Sequence, residues 1–80
     1  MNIERLVSMA NQIGTFFATD PDADAASIGI AQHLASCWAP SMRQALLDHL
    51  DDRNGEGLVP IVGKALRDHR ERLAGRRGHP

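Results

Sequence analysis

HLASCWAPSMR, residues 33–43, is the stretch on which the fold turns. It holds the only tryptophan of the chain, directly after the only cysteine, with Pro40 two residues further on. Pro40 disfavours helical geometry at Ala39, yet it suits the first position of a new helix, where no N–H is needed. The chain must therefore bend here. A large aromatic at a forced bend is either a central packing post or a docking surface. The choice matters because 80 residues leave little room for a core: a domain of this size buries roughly 60 to 65% of the surface its unfolded chain exposes. One cysteine cannot form an internal disulfide, so a small core without staples points to support from a partner.

Reading back from the bend, Ser27, Ile30, Ala31, Leu34, Cys37 and Trp38 form the inner stripe of a helix that ends near Trp38. Asp20 and Pro21 supply its expected start, an acceptor for free amides followed by a residue that needs no N–H. Asp22 and Asp24 then lie near the positive end of its dipole. Gly29 weakens this helix or lets a neighbour come close. Further back, Ile3, Leu6, Val7, Ala10, Ile13 and Phe17 recur at three- and four-residue steps, predicting a helix over residues 3–18 capped by Asn2. Met9 and Phe16 widen its apolar stripe beyond one face, which calls for more than one neighbour.

Reading forward, a third helix restarts at Pro40 or Ser41 and carries Met42, Ala45, Leu46 and Leu50. Residues 51–57 are dense in turn formers and predict a polar loop. Leu58, Ile61, Val62, Ala65, Leu66, His69 and Leu73 trace a fourth helix, with Pro60 tolerated in its first turn. No β-type alternation and no repeat interrupts this pattern. The expectation is an all-α fold, a single small domain of about four short helices over residues 1–74, followed by a flexible basic tail at residues 75–80.

The formal charge is −1 but unevenly spread. Residues 1–66 hold four basic and eight acidic side chains, residues 67–80 five arginines and two acids. Asp68 and Glu71 interleave with Arg67, Arg70 and Arg72 at helical spacing, which reads as an ion-paired solvent face rather than a nucleic-acid arm. No signal-peptide pattern opens the sequence and no run of about 18 apolar residues occurs. A soluble, cytoplasmic protein with no membrane or nucleic-acid partner is expected.

Catalytic and ligand motifs fall short at their decisive residues. Gly57 to Lys64 reads GLVPIVGK, but five residues separate the glycines where a phosphate loop has four, and Ala65 replaces the metal-binding hydroxyl. Asp52, Asn54, Glu56 and Gly57 imitate the opening of a calcium loop, yet Gly63 stands where the closing carboxylate belongs. His33 and Cys37 share a helix face without the further ligands that zinc requires or the third group that would orient a nucleophile and base. Asn11 and Gln12 are amides in a mainly apolar helix, either simply exposed or poised to bond a partner's backbone.

Three blocks in order, LVSMANQIGTFF (residues 6–17), HLASCWAPSMR (residues 33–43) and GEGLVPIV (residues 55–62), resemble the small delta subunit of soluble NAD-dependent, molybdenum-containing formate dehydrogenases. The likeness spans about residues 1–66. Where the family pattern has an aromatic before the tryptophan and an arginine before the methionine, this chain has Cys37 and Ser41. Trp38, Pro40, Met42 and Arg43 match.

The resemblance implies a non-catalytic accessory subunit of an enzyme that oxidises formate to carbon dioxide and passes electrons to NAD. It places the molybdenum pterin cofactor and most iron–sulfur clusters in an alpha subunit, and FMN and NAD in beta and gamma subunits. No cofactor is expected on this chain, and one cysteine is too few for a cluster with four ligands. Binding to the alpha subunit would stabilise the cofactor-loaded complex, through an expected interface of Met9, Asn11, Gln12, Phe16, Trp38, Pro40, Met42 and Arg43. Aromatics and arginine supply much of the energy of such contacts. Two other readings stand beside it: a maturation chaperone that leaves the same enzyme, and a small DNA-binding regulator using the third and fourth helices, against which Asp51, Asp52 and Glu56 load the connecting loop with negative charge.

Overall fold

Asn2 opens the first helix by accepting from the backbone N–H groups of Glu4 and Arg5 at 2.9 and 3.3 Å. Helix α1 then spans Ile3–Phe17. It leads a computed structural model that describes residues 2–74, an all-α bundle of five helices among those residues. The tail expected at residues 75–80 lies outside the described residues.

Helix α2 spans Ala23–Cys37, starting later than the Asp20-Pro21 signal suggests. Asp22 is the cap, its Oδ1 accepting from the N–H groups of Asp24 and Ala25. Asp20 instead accepts from the Asp22 N–H at 2.9 Å. The two aspartates thus divide the work, one closing the turn and the other starting the helix, and Pro21 sits between them outside it.

Trp38 ends α2 in extended geometry, Ala39 follows at ψ 150°, and Pro40 is the first residue of α3. Helix α3 spans Pro40–Arg53, so residues 51–53, expected in the loop, are helical. Asn54 stops it with a left-handed φ of 57°, a conformation its short polar side chain tolerates. Gly57 at φ 87° completes the reversal. Helix α4 spans Pro60–Asp68. The single fourth helix of the sequence reading is broken: His69 leaves helical geometry at φ −123° and ψ 30°, and a short α5, Arg70–Leu73, follows at a new angle.

Helix α2 is central and touches all four others. Leu6, Ile30, Leu34, Trp38, Leu46, Leu47, Val62, Leu66 and Leu73 make one continuous core. Gly14 lets α1 and α4 meet closely, since a Cβ there would lie 2.5 Å from Val62 Cγ2. Gly29 does the same for the Phe17 ring, 2.6 Å from its would-be Cβ, so the close neighbour is an aromatic side chain rather than a backbone. Turning α5 at His69 drives Leu73 into full burial, a gain of about 2 kcal/mol by apolar area.

Candidate functional site

The bend at residues 38–43 is organised inward. Trp38 is 6% exposed and belongs to the chain's own core. Arg43 takes a role that the sequence reading did not weigh. Its Nε donates to the Leu73 carbonyl at 2.9 Å, and its Nη1 donates to the carbonyls of Ala35 and Trp38 at 3.0 Å each. The last carbonyls of a helix lack partners within it and carry the negative end of its dipole. One guanidinium thus gathers the ends of α2 and α5. Met42 is half-buried against the core. Pro40 is exposed at the start of α3.

Asn11 is likewise engaged within the chain. Its Nδ2 donates to the Gly57 carbonyl and its Oδ1 accepts from the Val59 N–H, both at 2.9 Å. The amide mimics a strand of backbone and pins the glycine loop to α1. An uncharged amide in an otherwise apolar helix was its signal in the sequence. Gln12, next to it, is exposed.

Met9, Gln12 and Phe16 fall on one flank of α1, at steps of three and four residues. Phe16 is 71% exposed, while its neighbour Phe17 is half-buried against the core. The two rings meet edge to face at 5.1 Å between centroids. Adjacent phenylalanines point about 100° apart on a helix, so one reaches inward and the other outward.

Cys37 is exposed and off the inner stripe where the sequence placed it. Having α2 end at Cys37 and extending the backbone at Trp38 turns the tryptophan inward in its stead. His33 is exposed, and its ring faces Phe17 at 6.4 Å between centroids. Among the described residues no three His, Cys, Asp or Glu side chains gather to hold a metal ion. None of their helices is long and apolar enough to cross a membrane.

Two surface features were not legible beforehand. A half-open cleft of about 430 Å³ lies between the start of α1 and the end of α3, lined by Ile3, Glu4, Val7, His49, Arg53 and Glu56. His49 Nε2 sits 2.7 Å from the Glu56 carbonyl oxygen, so the ring can donate there in one tautomer. Elsewhere, Lys64 contacts both Asp24 and Asp68 at 2.9 Å, and Ser27 Oγ donates to Asp68 at 3.3 Å. The hydrogen bond from Lys64, more than its charge, holds the Asp68 carboxyl below its ordinary pKa. The same bond, with a second to Asp24, raises that of Lys64.

The family model described as NADH-dependent formate dehydrogenase delta subunit FdsD matches residues 5–66. No curated protein and no solved structure gives a significant match.

Proposed function

Because the chain belongs to the delta-subunit family of NADH-dependent formate dehydrogenases, we propose that it is a non-catalytic accessory subunit that binds the alpha subunit and stabilises the assembled complex. The alpha subunit would hold the molybdenum pterin cofactor and most iron–sulfur clusters. Beta and gamma subunits would hold FMN and bind NAD, and this chain would hold no cofactor.

The observation that carries this reading is Phe16, 71% exposed on a helix whose other large apolar residues are packed. Burying a phenylalanine is worth roughly 1.5 to 3 kcal/mol, which an isolated small domain forgoes by leaving it in water. Trp38, Arg43 and Asn11 already serve this chain's own fold. Arg43 and Trp38 fix the bundle on which α1 packs, and Asn11 ties α1 to the Gly57–Val59 loop, so that the outer flank of α1 is presented in one geometry and little ordering entropy is lost on docking.

Co-expression with the alpha subunit tests the proposal. The chain is expected to co-purify with it, and the pair to unfold at a higher temperature than the alpha subunit alone. Absence of co-purification, with the unfolding temperature unchanged, overturns it.

A further inference from the structure

The exposed flank of α1 runs into an acidic turn. Between Arg5 and Arg43 the chain contains no lysine or arginine, and its charged residues there are Asp20, Asp22 and Asp24. Phe16 sits in the last turn of α1, where the chain folds back over it: Thr19 Oγ1 donates to the Phe16 carbonyl at 2.9 Å, and the Asp20 N–H to that of Phe17 at 3.0 Å. Asp20 and Asp22 each use Oδ1 to fix the turn into α2. Both are exposed, and within the described residues neither has a cationic partner. Asp24, by contrast, is paired with Lys64.

We propose that Phe16 and the Asp20/Asp22 turn form the docking surface of this subunit, and that it fits a partner polypeptide offering an apolar socket bordered by lysine or arginine. The inference rests on the proposed accessory role and specifies which surface performs it. Aromatic anchors that fill a pocket at the centre of a contact dominate binding energy. Charges at the edge of the contact steer encounter and exclude wrong partners. A second copy of this chain is a poor occupant, because a two-fold contact through this corner would set aspartates against aspartates, and the nearby Lys64 is already held by Asp24 and Asp68. The capping bonds fix the carboxylates to the turn that directly follows the helix end carrying Phe16.

The test uses the full-length chain co-expressed with the other subunits, reading the amount retained per alpha subunit at low and high salt. Phe16→Ala keeps the fold, since the ring is mostly in water, and is expected to weaken retention about thirty-fold, as loss of an aromatic anchor does. Asp20→Asn with Asp22→Asn keeps both turn acceptors, and is expected to weaken retention at low salt and flatten its salt dependence. Asp52→Asn, which removes one carboxylate at the far end of α3, should leave retention as in the wild type. Wild-type retention of the Phe16 and double-asparagine variants overturns this surface while leaving the accessory role standing. Failure of the wild-type chain to be retained overturns the accessory role itself. A dimer of the isolated chain that Phe16→Ala dissolves would identify the occupant as a second copy and also overturn the assignment.

Discussion

Arg43 Nε donates to the backbone carbonyl of Leu73 at 2.9 Å, tying the residue just past the Pro40 bend to a helical turn thirty positions later. With its further bonds to Ala35 and Trp38, the guanidinium closes α2 and α5 together. Leu73 in turn fills the core beside Trp38. The bend, the tryptophan and the last described helix are one assembly.

Replacing Arg43 tests that assembly. Hydrogen bonds to charged groups contribute about 1.5 to 3 kcal/mol each, with some overlap where one donor serves two carbonyls. Arg43→Ala should therefore lower unfolding stability by about 2 to 4 kcal/mol in urea titrations. Arg43→Lys should recover less than half, because a single ammonium cannot span three carbonyls held in a planar fork. Stability equal to wild type in either variant would contradict the staple.

Gly14→Ala sets two effects against each other. Alanine favours the helix by about 1 kcal/mol, but its methyl would meet Val62 Cγ2 at 2.5 Å. Overpacking of that kind costs about 1 to 3 kcal/mol. Net destabilisation is expected, with recovery on adding Val62→Ala. The check is a double-mutant cycle: additive effects would mean that α1 and α4 do not meet through this pair.

The Lys64 cluster gives a pH dependence of definite sign. Asp68 has a lowered carboxyl pKa in the folded chain, so its contribution is present above the ordinary value of 3.8 and is lost as pH falls through the folded one. Lys64 has a raised pKa, so its contribution is present below 10.5 and is lost as pH rises through the folded value. Lys64→Met should flatten both limbs of a plot of melting temperature against pH. The Lys64 and Asp68 side chains are 33% and 41% exposed, so solvent screens the pair and the effect should be small and shrink with salt. An unchanged profile in the variant would place the acid limb elsewhere.

Much of the fold could be read directly from the chain because its signals are local. Asn2 caps α1, Pro40 and Pro60 open α3 and α4, and the stripe through Leu6, Ala10, Ile30 and Leu34 forms the core. What could not be read depends on distant partners. Asp22 prevails over Asp20 as cap because Asp20 bonds the turn that precedes it. The break at His69 has no proline or glycine to announce it; burying Leu73 and satisfying Arg43 favour it, and both require the finished bundle. At the candidate site the sequence marked Trp38, Arg43 and Asn11 as unusual, and the structure gives each a task inside the chain. Phe16 alone among the large aromatics is left facing water, which adjacency to Phe17 allowed but could not decide. The bonding of Asn11 to Gly57 and Val59 was equally out of reach, since its partners lie 46 and 48 residues away.

The most direct measurement deletes the gene for this chain, leaves the other subunits intact, and assays the purified enzyme for molybdenum per alpha subunit, thermal inactivation and the KM for formate. The proposed accessory role predicts less metal-loaded enzyme and faster inactivation, with KM unchanged in the active fraction. Full molybdenum content and wild-type heat resistance in its absence, or a shift confined to KM, would contradict the account.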